Sequence, residues 1–98
     1  MIKYQVDLIL KHVDDQQALA EVKRLAAARR VSFTKHAYDR MRERGAVVAD
    51  VLTALSSATR AQHETGYKYR VTGGVDRDGD ELSVIVAIEA DLLVVTIF

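Results

Sequence analysis

LSVIVAIEADLLVVTIF, residues 82–98, contains two apolar runs separated by Glu89, Ala90 and Asp91. Leu82 to Ile88 is almost wholly apolar, and Leu92 to Phe98 repeats the pattern after the polar break. Short runs rich in β-branched side chains and bounded by polar residues fit strands covered on both faces. The polar break turns the chain, so these residues form the end of an antiparallel meander. Upstream, Tyr67, Tyr69 and Val71 alternate with Lys68, Arg70 and Thr72, a period of two that marks another strand. Between them DRDGDE (76–81) places Gly79 among aspartates, which is hairpin-turn chemistry. It lacks the ligand spacing of a calcium loop. Arg60 to Glu64 is a further candidate strand.

Before Arg60 the period is helical. Asp14 or Asp15 offers a carboxylate cap, and Ala18, Leu19, Val22, Leu25 and Ala26 form one apolar stripe, predicting a helix over about 15–29. Ser32 or Thr34 can cap a second helix over 36–44, which Gly45 would stop. Val47, Val51 and Leu55, four apart, predict a third over about 47–57. Residues 2–10 alternate as a strand would, although Leu8, Ile9 and Val13 also suit a helix. The expected fold is therefore α+β: N-terminal helices packed on an antiparallel β-sheet. It is a single domain over 1–98, with an extension (1–14), a helical part (15–57) and a sheet part (60–98).

The composition narrows the function. A chain of 98 residues, about half of them apolar, has the length of one domain. It has no cysteine, which excludes disulfides and thiolate metal sites, and its three scattered histidines make a poor zinc set. No cofactor or metal is expected. No apolar run approaches the roughly 20 residues of a membrane helix. Asp7 interrupts what would be the core of a signal peptide, so the expected location is cytoplasmic, with no membrane partner. Fourteen basic and fourteen acidic residues cancel, which argues against a broadly sticky nucleic-acid binder. The cancellation hides a gradient, however. Arg29 to Arg44 holds six basic residues and two acids, whereas Asp76 to Asp91 holds six acids and one arginine.

The basic region centres on FTKHAYDRMRERG (33–45). On a helix, His36, Arg40 and Arg44 fall along one edge, beside a buried sector of Ala37, Tyr38 and Met41. Stacked cations repel unless an anion answers them. Guanidinium forks match phosphate oxygens two at a time, and an internal carboxylate would serve equally well as a structural clamp.

The pattern F-x-x-H-A-x-x-R-M-x-x-R-G, followed by VLTAL (51–55) and the Tyr69–Arg70 pair, resembles a small bacterial domain family of unknown function often encoded beside a zinc-finger antitoxin. In layout the chain is also similar to the motility quorum-sensing regulator toxins, messenger-RNA interferases of the barnase–colicin–RelE-like fold. That similarity rests on AEVKRL (20–25), ALSS (54–57) and DLLVVTI (91–97). It implies a RelE/barnase-like toxin fold, RNA as substrate (single-stranded messenger RNA) and an antitoxin protein, of zinc-finger type, as partner. The regulator toxins' catalytic lysine, tyrosine and second lysine align with Gln62, Leu82 and Phe98, so their catalytic set does not carry over.

Cleavage through the ribose 2′-hydroxyl needs a base, an acid and cations for the phosphorane. An imidazole titrates near neutrality, which suits His36. Arg40, Arg44 and Arg70 are the candidates for holding the phosphate, and these four form the expected catalytic set. Lys35, Lys68, Tyr69 and His63 are the candidates for binding substrate, although alternation puts Tyr69 on the opposite strand face from Arg70. Tyr67 and Tyr69 equally suit core packing, and Arg70 a solvated face. Three readings follow: a toxin-like, metal-independent endoribonuclease; a non-catalytic protein- or RNA-binding module of the same fold; and a domain whose arginines clamp its own acids. The last strand, if it lies at a sheet edge, also offers pairing to a second copy, a homodimer.

Overall fold

Residues 14–98 are described by a computed structural model. The strand expected at 2–10 and most of the N-terminal extension lie outside the described residues. The Asp14 carboxylate accepts the Gln17 N–H at 2.8 Å and starts helix α1 (Asp15–Ala27), which buries Ala18, Val22, Leu25 and Ala26. The helix ends two residues earlier than its stripe predicts. Arg29 adopts a left-handed backbone (φ 58°), its N–H donates to Ala26 O, and the Arg30 N–H donates to Leu25 O. This pair of bonds closes a helix C-terminus, usually with glycine at the left-handed position.

Strand β1 (Val31–Phe33) follows, then α2 (Lys35–Arg44) and α3 (Val48–Ser57). Gly45, with φ 73°, terminates α2 as expected. Val47 has no side-chain acceptor to cap α3, so Asp50 reaches back and accepts the Val47 N–H at 3.0 Å. Strands β2 (Arg60–His63), β3 (Lys68–Thr72), β4 (Val84–Ile88) and β5 (Leu92–Ile97) complete the chain. Among the described residues no helix is long and apolar enough to cross a membrane.

The fold is α+β, with a five-stranded sheet in the order β1-β5-β4-β3-β2. β2 to β5 form the expected antiparallel meander, but β1 pairs in parallel with β5, Val31 opposite Leu92 and Phe33 opposite Val94, which makes the sheet mixed. β1 was not legible because three residues carry no measurable period. β5 therefore lies between β1 and β4 and is not an edge, so it offers no free ladder to a second chain. The helices cover one face, where Val22, Leu25, Ala37, Met41, Val51 and Leu55 join the inward side chains of β2–β5 in one core. Ile85 and Ala87 are also buried but stand outside that cluster, on the opposite face.

An irregularity in β5 sets which residues face which way. Val86 pairs with Val94 and Ile85 with Thr96, leaving Val95 as an extra residue, a bulge. Strict alternation would put Val94 and Ile97 on opposite faces. The bulge turns both into the core, where neither is exposed, and sends Phe98 to the far side.

Two contacts tie the 76–81 turn and its flanks to α3. The buried Asp50 carboxylate accepts the Arg77 Nε at 3.0 Å and the Arg77 N–H at 3.3 Å. The Val47 N–H, then Arg77, hold its pKa below the ordinary 3.8. Gly74 passes so close to α3 that an added Cβ would stand 1.9 Å from the Ala54 carbonyl oxygen. Within the turn, Asp76 accepts the N–H groups of Asp78 and Asp80, so its carboxylate is taken up locally.

Two outcomes follow. Gly74→Ala should cost about 3 kcal/mol or more in urea unfolding, because the obstacle is backbone and cannot swing aside. The contribution of Asp50, whose folded pKa is depressed, is complete above its ordinary value and is lost as pH falls through the folded one. Urea midpoints should therefore be steady down to about pH 4 and drop below it. Asp50→Asn should be less stable at neutral pH and should show a smaller drop on acidification.

Candidate functional site

Thr34 positions the basic helix. Its N–H donates to Val94 O at 3.0 Å, and its hydroxyl donates to Val95 O at 2.8 Å and accepts the Ala37 N–H at 3.0 Å. One residue thus ends β1, holds the bulge and caps α2. β1 stops opposite Val94 while β5 runs on to Ile97, and α2 occupies the place beside those last residues. Ala37 and Met41 turn into the core as expected. Tyr38, expected with them, is 47% exposed and stacks on Phe33 with ring centroids 5.3 Å apart.

His36, Arg40 and Arg44 do lie along one edge of α2. His36 is exposed and forms no hydrogen bond or ion pair among the described residues. Arg40 donates through Nε to Ile97 O at 3.4 Å and pairs with Glu43 at 3.2 Å. Arg44 donates to Glu81 O at 2.9 Å. Arg40, Glu43, Arg44 and Ile97 line a cleft of about 160 Å³. On the other side of the same chain end, the Arg70 guanidinium lies over the Phe98 ring, 4.7 Å from its centroid, and pairs with Glu64 at 3.2 Å. Arg40 and Arg44 thus border Ile97 from the cleft, and Arg70 borders the next residue, Phe98, from the far face of the sheet. The carboxylates paired with Arg40 and Arg70 are exposed, and exposed pairs contribute about 0–1 kcal/mol, so a phosphate can displace them.

The remaining candidates divide. Lys35 is exposed and bonded to Asp39, whose pKa Lys35 and then Arg42 hold down. Lys68 is exposed, on the same side of β3 as Arg70. Tyr69 is core: it faces α1, is 3% exposed, and burial and the Asp15 charge raise its hydroxyl pKa. It does not join Arg70, and burial removes it as a substrate contact. His63 pairs with Tyr69 in register and lies edge-on to it, with Nε2 2.9 Å from Gly66 O and its backbone N–H donating to Asp15. Both are therefore on the helix side of the sheet, away from Arg70. Tyr67, a candidate for the core, is 38% exposed.

Sequence reasoning missed Ile97, Phe98 and Glu81, because the bulge that brings the first two to the arginines leaves no mark in the pattern. A larger cleft, about 410 Å³, lies elsewhere, between α1 and α3. Its Thr53 and Ser57 hydroxyls are spent on helix carbonyls, and it holds no acid–base pair. Among the described residues no three His, Cys, Asp or Glu side chains gather as metal ligands.

Against this geometry one comparison is positive: a family model matches residues 33–98. The chain belongs to that family, a domain of unknown function (DUF4258). The matched part of the DUF4258 domain contains α2, α3 and β2–β5, hence Arg40, Arg44, Arg70 and Phe98, but not α1. No curated protein and no solved structure matches the chain.

Removing the Thr34 hydroxyl should loosen this end of the DUF4258 domain. Thr34→Val keeps the shape and loses both hydroxyl bonds, so it should cost about 1–2 kcal/mol in thermal or urea unfolding. Thr34→Ser should recover most of that.

Proposed function

We propose that this protein is a toxin-like endoribonuclease, a messenger-RNA interferase of a type II toxin–antitoxin system, acting in the cytoplasm on single-stranded RNA. The observation that carries the reading is the placement of Arg40 and Arg44 beside Ile97 and of Arg70 over the adjacent Phe98. A cleft beside them and weakly held carboxylates leave these cations available to a phosphodiester. His36 stands one helical turn before Arg40, exposed and unengaged among the described residues. The resemblance of the sequence layout to the motility quorum-sensing regulator toxins prompts the same reading.

In this mechanism the His36 imidazole takes the proton from a ribose 2′-hydroxyl. The 2′-oxygen bonds to phosphorus, the bond from phosphorus to the 5′-oxygen breaks, and the leaving oxygen takes its proton from solvent. The products are a 2′,3′-cyclic phosphate and a 5′-hydroxyl. Arg40, Arg44 and Arg70 hold the phosphate and offset the charge that grows on its oxygens. These groups need no metal to act. Such an activity requires restraint by an antitoxin, and a zinc-finger protein encoded next door is the partner this reading expects.

A second reading, a non-catalytic protein- or RNA-binding module, draws on the bonds the arginines already make to Glu43, Glu64 and the Glu81 carbonyl. One assay separates the two. Wild-type protein incubated with single-stranded RNA and EDTA should yield cyclic-phosphate ends. A strand with a 2′-deoxy nucleotide at the cleaved position should resist. His36→Ala and Arg40→Ala should each lower the rate by about 10²–10³. Absence of cleavage by wild type, or equal cleavage by both variants, would favour the binding module.

A further inference from the structure

We propose that the sheet face turned away from the helices is the track along which single-stranded RNA lies, with Phe98 as the platform on which one base stacks. This deepens the nuclease reading and rests on it for the identity of the ligand. The register defines the face. Tyr69, Val71 and Ala61 point into the core, so their neighbours Arg60, Lys68 and Arg70 point away from it. Arg60 lies opposite Thr72 in β2–β3, Arg70 opposite Ile85, and Lys68 opposite Ala87, so the three cations descend the β2–β3 half of one surface. Arg60 and Lys68 are exposed and Arg70 is half-buried. Among the described residues the carboxylate that pairs with them is Glu64, through Arg70. Charge complementarity on this face therefore favours a polyanion, although the chain as a whole is neutral.

The aromatic is the second observation. Phe98 reaches this face only because of the Val95 bulge, and it is 39% exposed beside β3. Arg70 over its ring fixes one side of the aromatic. An exposed ring under one guanidinium, on a face that carries two further cations, is an arrangement that takes an unpaired base, because every base has a π-face and its phosphates meet the charges. A duplex keeps its bases stacked inside and cannot use the ring. The track ends at Ile97, where the Arg40–Arg44 cleft opens, so bound RNA would lead from the sheet to α2.

The test uses the full chain and a fluorescein-labelled oligouridylate about 12 nucleotides long, with anisotropy read between about 50 and about 200 mM salt. Wild type should bind with an affinity that falls steeply with salt. Phe98→Ala should weaken binding about 5- to 100-fold at an unchanged salt slope, and Phe98→Tyr should restore it. Arg60→Ala and Lys68→Ala should each lower the slope by about 0.7. A duplex RNA of equal length should bind more weakly. No binding by wild type, a flat salt response, or an unchanged Kd in Phe98→Ala would overturn the track. So would tight binding to an acidic protein partner that RNA fails to displace. Binding as described without any cleavage would leave the track standing and remove the nuclease reading. Cleavage at wild-type KM by Phe98→Ala and Lys68→Ala would do the reverse.

Discussion

The three hydrogen bonds of Thr34 decide how the two halves of this protein meet. The sheet needs the Val95 bulge to turn both Val94 and Ile97 inward, and a bulged carbonyl needs a donor. The Thr34 hydroxyl is that donor, and its oxygen also caps the helix that fills the vacant place beside β5. Helix direction, strand irregularity and the end of β1 are thus one arrangement. The position of the arginine edge relative to Ile97 depends on it.

Much of this architecture is legible in the residues. The apolar runs at 82–88 and 92–98 gave their strands, Gly45 and Asp14 marked helix ends, and Gly79 marked the turn. What was hidden is non-local or too short to have a period. Val31–Phe33 pairs with residues some sixty positions away, and nothing within three residues says so. Arg29 ends α1 in a backbone shape for which sequence rules look for glycine. The candidate site divides along the same line. That His36, Arg40 and Arg44 share an edge follows from helix geometry, and that Arg70 and Tyr69 diverge follows from alternation. That Arg70 finds Phe98, next to the Ile97 that borders Arg40 and Arg44, follows from a bulge that no local pattern encodes.

The charge distribution has the same two-level character. Total charge is zero, yet the acids do not answer every cation to the same degree. Asp50 and Asp76 are occupied by backbone N–H groups, Asp50 also by Arg77, and Asp39 neutralises Lys35 and Arg42 on the outer side of α2. The acids that touch Arg40 and Arg70 are exposed and singly bonded. Local balance, not the sum, determines where a polyanion could settle.

The place of β5 in the sheet has a consequence for how the protein is made. Among the described strands it comes last in chain order, yet it sits between β1 and the rest of the meander. Until residues 92–97 leave the ribosome, β1 and β4 have no common neighbour and α2 has no edge to lie along. Loop closure across some sixty residues must precede any reward from that contact, so this pairing is the slow step of assembly. A chain short of β5 would keep four strands, with β1 cut off from the β2–β4 meander.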